Sequence, residues 1–157
     1  MVINYKPLNA ITKSFNYLLP RQETIMQKIQ NSKIFSKFGM KSGYYQIQIK
    51  EQDCHKTTFT CLAGFYEWRV VPFGLKNAPA FFQRRMDYIF GRYDFIVTYI
   101  DDILIHSQDL DSHMEHLKIF LEEAQQHGIV LSKKKMLLFQ DSIEFLGIHV
   151  LNGKIKM

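Results

Sequence analysis

Residues 95–107 read Phe95-Ile96-Val97-Thr98-Tyr99-Ile100-Asp101-Asp102-Ile103-Leu104-Ile105-His106-Ser107. Two apolar runs rich in β-branched and aromatic residues flank the adjacent carboxylates Asp101 and Asp102. That enrichment predicts two strands, and an Asp pair between them suits a tight hairpin turn. Two like charges side by side repel, and burial would raise their pKa values. A divalent cation would relieve both effects, and Mg²⁺ prefers carboxylate oxygens with phosphate as co-ligand. The same pair also fits an ordinary solvated turn, because Asp is common there. The surrounding chain decides between these two.

Downstream, Ser112-x-x-Glu115 has the capping-box pattern of a helix start. The helix it opens carries Met114, Leu117, Leu121 and Ala124, and Gly128 ends it as a left-handed cap. Residues 129–131 and 136–139 read as short strands around a Ser132-Lys133-Lys134-Lys135 turn. Residues 145–151 and 154–156 form a hairpin around Asn152-Gly153. Upstream, Asn77 caps a helix with Pro79 in its first turn and an apolar stripe of Phe82, Met86 and Ile89; it runs to about Phe90 and stops at Gly91.

Residues 57–62 and 65–71 flank Ala63-Gly64 as a hairpin. Tyr45, Ile47 and Ile49 alternate with Gln46, Gln48 and Lys50, the pattern of a half-buried strand. Residues 35–40 are a strand, and Lys41-Ser42-Gly43 is a turn. Residues 21–30 are a helix facing the core with Ile25, Met26 and Ile29, reached through an extended segment at 17–20. Residues 2–9 start strand-like and break at Pro7. The expected fold is α+β, an antiparallel sheet with helices packed on one face.

The 157 residues make one domain the expectation. No apolar run reaches the length of a membrane-crossing helix, and the N-terminus has no signal-peptide core. Two cysteines, Cys54 and Cys61, imply no disulfide framework. The expectation is an intracellular protein of the cytoplasm or nucleus, with no membrane partner. Twenty Lys and Arg against 15 Asp and Glu leave a net charge of +5, a mild bias toward polyanions. There is no dinucleotide-binding glycine fingerprint, phosphate-binding loop, nucleophile elbow or zinc-protease helix motif. His113-x-x-His116 lacks further ligands nearby and reads as an exposed polar face; Cys54, His55 and Cys61 make no zinc site. The lysine run at 133–135 reads as a solvated turn.

Residues 70–82 (VVPFGLKNAPAFF) place an apolar strand, a Pro-Phe-Gly turn and a capped helix in succession. Such a turn can present backbone groups and a helix N-terminus to a phosphate or a flat ligand. Here a resemblance becomes specific. Tyr99-Ile100-Asp101-Asp102 looks like the Y-x-D-D motif of reverse transcriptases. Residues 71–83 resemble their template- and nucleotide-contacting segment, and residues 35–47 (FSKFGMKSGYYQI) their first palm motif. Residues 64–68 (GFYEW), the Phe145-Leu146-Gly147 primer-grip hairpin and the lysine-bearing strand at 131–135 complete the order. The nearest branch is that of long-terminal-repeat retroelements and plant pararetroviruses, caulimovirus-like.

The resemblance implies a palm with part of the fingers over 1–157, ending at the primer-grip hairpin without a full thumb or an RNase H domain. It implies RNA-directed DNA polymerase chemistry: attack of a primer 3′-hydroxyl on a deoxynucleotide between two Mg²⁺ ions. Asp101 and Asp102 would be the catalytic metal ligands, and Tyr44 the steric gate under the sugar. Phe73, Gly74 and Gln83 would line the nucleotide and template surface, and Phe145, Leu146 and Gly147 would hold the primer end. The implied partners are an RNA or DNA template–primer and a dNTP.

One position departs from the pattern. The first palm motif of the family carries a third carboxylate where this chain has Gly39. Two carboxylates hold Mg²⁺ weakly or not at all, so an inactive chain is expected. The alternative is a non-catalytic nucleic-acid-binding remnant of an integrated element.

Overall fold

The computed structural model describes residues 3–151 and 154–156. Its elements in chain order begin with α1 (Lys6–Ile11), α2 (Gln22–Ile29), β1 (Ile34–Met40), α3 (Glu51–Cys54), β2 (Phe59–Cys61) and β3 (Gly64–Tyr66). They continue with α4 (Ala78–Phe90), β4 (Ile96–Tyr99), β5 (Asp102–Ser107), α5 (Leu110–Gln126), β6 (Leu131–Gln140), β7 (Ser142–Phe145), β8 (Ile148–Leu151) and β9 (Lys154–Lys156).

The main sheet has the order β4-β5-β1-β6, antiparallel throughout. Period-2 alternation sends Phe38, Met40, Ile103 and Ile105 to one face, where α4 and α5 pack with Phe82, Met86, Phe90, Leu117 and Phe120. Phe35, Val97 and Leu104 point to the opposite face. There they meet Ile25 and Ile29 of α2 and the small β7-β8-β9 sheet through Ile143, Phe145 and Val150. The antiparallel sheet with its two long helices on one face is the α+β architecture expected. The second face is closed by α2 and the small sheet.

Several local expectations are corrected. Residues 2–9 do not continue as a strand: Pro7 stands in the first turn of α1, where a proline's missing N–H costs nothing. The alternation at 45–50 is not a strand. Ser42 takes a left-handed conformation, residues Gly43–Gln46 wind into a 3₁₀ turn, and only Gln48 bridges to Val70. Tertiary partners override the period there, since Tyr45 stacks on Trp68 at 5.4 Å. The hairpin at 57–71 shrinks to β2 and β3 around Leu62-Ala63, because Thr57 Oγ1 is occupied by the Trp68 amide and the Cys54 carbonyl.

Helix α5 begins earlier than the Ser112 pattern implies. Asp109 is its cap, and its carboxylate accepts from the Ser112 amide at 2.9 Å. Its buried face is His113, Leu117, Phe120 and Ala124, while Met114 and Leu121 are exposed. Gly128 at φ +66° closes it as expected. The lysine run is not a turn but part of the ten-residue strand β6. The segment 145–151 breaks at Leu146-Gly147, both with positive φ, which separates β7 from β8. Asn152-Gly153 lies outside the described residues.

The histidines form no exposed polar face. His113 is fully buried; its Nε2 shares a 2.8 Å hydrogen bond with Ser36 Oγ, and its Nδ1 one with Ser107 Oγ. Ser107 Oγ also meets His116 Nδ1 at 2.8 Å. On the other face of the sheet His106 Nδ1 meets Ser32 Oγ at 2.8 Å. These bonds fasten β1 and β5 to α5 and to the turn after α2. Burial pushes the imidazoles of His106 and His113 down to about 4.

Both histidines are therefore neutral in the folded chain at pH values where the unfolded chain begins to protonate. Stability is full above about pH 6.5, falls as the pH drops toward 4, and stops falling on this account below that. Unfolding between about pH 6 and pH 4.5 is expected to take up close to about two protons from these groups. Urea titrations across that range, compared with a His106→Gln/His113→Gln variant in which the slope flattens, check it.

Candidate functional site

The hairpin tip is built from backbone strain held by side-chain hydrogen bonds. The two-residue turn is Ile100-Asp101, and Asp102 opens β5 directly opposite Tyr99. Ile100 sits at φ +49°, a region β-branched residues rarely adopt. Two bonds fix it there. The Ile100 amide donates to Gln83 Oε1 at 2.8 Å, and the Met40 amide donates to the Asp101 carbonyl at 2.9 Å.

Gln83 does not lie on a nucleotide surface as expected: it is fully buried. Its Nε2 donates to the Thr98 carbonyl at 3.1 Å and to Asp87 Oδ1 at 2.8 Å. A glutamine among the apolar residues of α4 is thus the strut behind the tip. The signal that could have found it is its i,i+4 spacing to Asp87 on a helix whose other inward positions are apolar.

The carboxylates occupy different environments. Asp102 is half-buried, with Lys37 Nζ 3.9 Å from its Oδ2. Asp101 Oδ1 is buried without a hydrogen-bond partner and faces Gly43, where no side chain could fit. Burial raises the Asp101 carboxyl above its usual range; the Lys135 charge opposes that and the Asp102 charge adds to it. Tyr44 stands beside them. Its hydroxyl is raised by burial first and then by the Asp101 charge. Its ring is edge-on to Phe82 at 5.5 Å and to Phe73 at 5.2 Å. Phe73 is exposed, so Tyr44, Tyr45 and Phe73 form an aromatic wall next to the acidic tip.

Gly74 takes φ +94°, which keeps the Pro-Phe-Gly turn tight. Segments near the N-terminus hold this turn. Asn9 Nδ2 donates to the Gly74 carbonyl at 2.8 Å and Asn9 Oδ1 accepts from the Lys76 amide at 2.8 Å. Asn77 makes no cap bond with its own helix; its Oδ1 accepts from the Phe15 amide at 3.0 Å. Phe145 is fully buried below the tip, while Leu146 and Gly147 form the turn that follows it. Lys37 joins the two regions, since its Nζ lies 5.7 Å from the Phe145 ring centroid as well as beside Asp102.

Gly39 pairs with Asp102 across the β1–β5 ladder and with Ser132 across β1–β6. Its φ lies outside the left-handed region, so the backbone itself would accept a side chain. The space would not. An added Cβ would stand 2.5 Å from Lys135 Cδ, 2.7 Å from its Cβ and 3.2 Å from its Cγ. Asp101, Asp102, Tyr44, Phe73 and Gly39 therefore converge at one end of the two central strands, with the Phe145 turn behind. Lys37 and Lys135, which were not among the expected site residues, lie between them. Among the described residues no group of three or more Asp, Glu, His or Cys side chains could hold a metal ion, and no helix is long and apolar enough to cross a membrane.

The family model "Reverse transcriptase (RNA-dependent DNA polymerase)" matches residues 1–150. The chain belongs to the reverse transcriptase family. It is 45% identical over 157 residues to the enzymatic polyprotein of Cauliflower mosaic virus (strain Strasbourg), covering 99% of this chain and 23% of that protein. It is 46% identical over 158 residues to polyprotein P3 of Commelina yellow mottle virus, covering all of this chain and 8% of that one. The chain thus spans less than a quarter of the length of these relatives. The foamy viral protease–reverse transcriptase, solved in complex with dsDNA, shares the fold with a TM-score of 0.90 at 22% identity, over 100% of this chain and 33% of its own. The family generally uses divalent metal ions.

Gln83→Leu is expected to destabilise the domain by about 1–3 kcal/mol, because the Ile100 amide loses its acceptor in a buried setting. Urea denaturation measures the loss. Amide hydrogen exchange should show Ile100 opening faster than the core of β5.

Proposed function

We infer that this chain is a reverse transcriptase palm that binds a template–primer duplex without transferring nucleotides. The face in question carries the aromatic wall of Tyr44 and Phe73, the Asp101–Asp102 tip and the turn at Leu146-Gly147. The observation that carries the reading is the residue across the ladder from Asp102. It is Gly39, and the stem of Lys135 covers it.

The residues do not fit a pair of divalent ions. Only two carboxylates stand at the tip, one oxygen of Asp101 is turned inward toward Gly43, and each carboxylate has a lysine in its field. Mg²⁺ is accordingly held weakly or not at all. Nucleic-acid binding is supported by the net charge of +5 and by the likeness to a foamy viral protein solved with dsDNA. The exposed Phe73 ring offers a surface on which a base or sugar can stack. Lys37 and the lysines of β6 supply charge for a phosphate backbone. An RNA or DNA template–primer is the partner, and Asp101 and Asp102 act as fixed negative charges at the primer end.

Two measurements test this. The chain mixed with a primed template, dNTPs and Mg²⁺ is expected to give no primer extension; robust extension would overturn the inactive reading. Fluorescence anisotropy with a labelled template–primer is expected to show affinity that falls about tenfold or more between 50 and 200 mM salt. Salt-independent binding, or none, would remove the binding role.

A further inference from the structure

We propose that Ser36, His113, Ser107 and His116 form one directed hydrogen-bond chain, with a single tautomer at each imidazole, that serves as a proton-sensitive latch holding the first half of α5 on the sheet. The direction follows from counting hydrogens. The Phe139 amide donates to Ser36 Oγ at 3.2 Å, so the Ser36 hydroxyl hydrogen needs an acceptor of its own. Ser36 has no exposed surface, and the acceptor it meets is His113 Nε2 at 2.8 Å. A bare Nε2 puts the hydrogen of the neutral ring on Nδ1, which donates to Ser107 Oγ at 2.8 Å. The Ser107 hydrogen is then directed to His116 Nδ1 at 2.8 Å, so His116 carries its own hydrogen on Nε2. Run the other way, the chain leaves the Ser36 hydrogen unpaired in the core, at the full desolvation cost of a buried donor.

This chain is what the first half of α5 offers to the sheet. His113 is the buried residue of 110–116, while Leu110 and Met114 are each 55% exposed. The other buried residues, Leu117, Phe120 and Ala124, lie in the second half. The entry point for a proton is His116, which is half-buried and stacked on Phe95 at 3.8 Å. Its titratable neighbours on α5 are Asp109, Glu115 and His113; β5 presents Ser107 and the His106 carbonyl. Towards His113, β1 and β6 present the uncharged Ser36 and Phe139. A proton on His116 Nδ1 turns the last acceptor of the chain into a donor. Ser107 Oγ then faces two N–H groups while its own hydrogen has no acceptor, and reversing the chain moves the orphan to Ser36. Acid therefore favours the open helix and neutral pH the closed one. Burial acts in the same sense, holding both imidazoles below their usual range. The latch stands where Ile34 pairs with Ser107, at the end of the β1–β5 ladder away from the Gly39–Asp102 pair.

Two measurements on the whole chain test this. Long-range ¹H–¹⁵N correlation spectra at about pH 7.5 assign the ring tautomers. Nδ1–H is expected for His113 and Nε2–H for His116; the opposite pair, or a mixture at either ring, overturns the directed chain and the proposal with it. Amide exchange followed in increasing urea tests the latch. Amides 114–117 are expected to open with an equilibrium constant about tenfold or more above that of amides 121–124, and with a smaller urea dependence. Between pH 7 and pH 5 that opening constant is expected to rise about threefold or more beyond its rise in His116→Gln. Glutamine keeps an acceptor oxygen for Ser107 and takes no proton. Exchange of α5 as a single unit, or a rise that His116→Gln leaves unchanged, overturns the latch. The tautomers and the urea series need no variant, so a His116→Gln chain that fails to fold leaves both tests standing.

Discussion

Two carboxylates on adjacent residues cannot be held at the rim of an apolar sheet without counter-charge and a rigid support. The architecture around Asp101 and Asp102 answers both demands with groups drawn from separate segments. Helix α4 contributes the Gln83 amide that pins the strained turn, and β1 contributes the Met40 amide and the Lys37 ammonium. Strand β6 contributes the Lys135 charge. None of these would meet without the central position of β1, which has β5 on one side and β6 on the other.

The second organising feature is the fastening of the Pro-Phe-Gly turn by the segment around α1. Asn9 and Asn77 each use both ends of their amides: Asn9 of α1 bonds Gly74 and Lys76 of the turn, and Asn77 after the turn bonds Lys13 and Phe15 of the segment before α2. Paired donor and acceptor contacts of this kind fix orientation as well as distance. They hold Phe73 exposed next to Tyr44, so the aromatic wall and the acidic tip keep one relative geometry.

What could be read directly from the residues was local. The hairpin strands, the stop of α4 at Gly91 and the left-handed cap at Gly128 depend on neighbours within a few positions. The misreadings share one cause, in that a local pattern was outweighed by a distant partner. Tyr45, Ile47 and Ile49 have strand spacing, yet Trp68 and Phe73 capture the Tyr45 ring. Lys133-Lys134-Lys135 looks like a solvated turn; all three are exposed, yet they lie within strand β6, where its pairing to β1 is irregular. His113 looks like surface, yet Ser36 and Ser107 satisfy both of its ring nitrogens in the core. Of the site, the carboxylate pair and the aromatic residues were legible as types in a family order. The burial of Gln83 and the fit of Lys135 over Gly39 were not, because each depends on contacts across the fold.

The central strand also governs how the molecule assembles. Ser36 of β1 bonds to His113, 77 residues later, and accepts from the Phe139 amide, 103 residues later. As the chain emerges during synthesis, Ile34–Met40 waits with both edges unpaired until β5 and then β6 arrive. Its apolar side chains Phe38 and Met40 lack the cover of Ile103, Ile105 and Phe120 for much of that interval. Contacts of such long sequence separation slow folding, and an uncovered strand is a template for pairing with other chains. An open β1 is therefore the stage of folding most exposed to pairing with other chains.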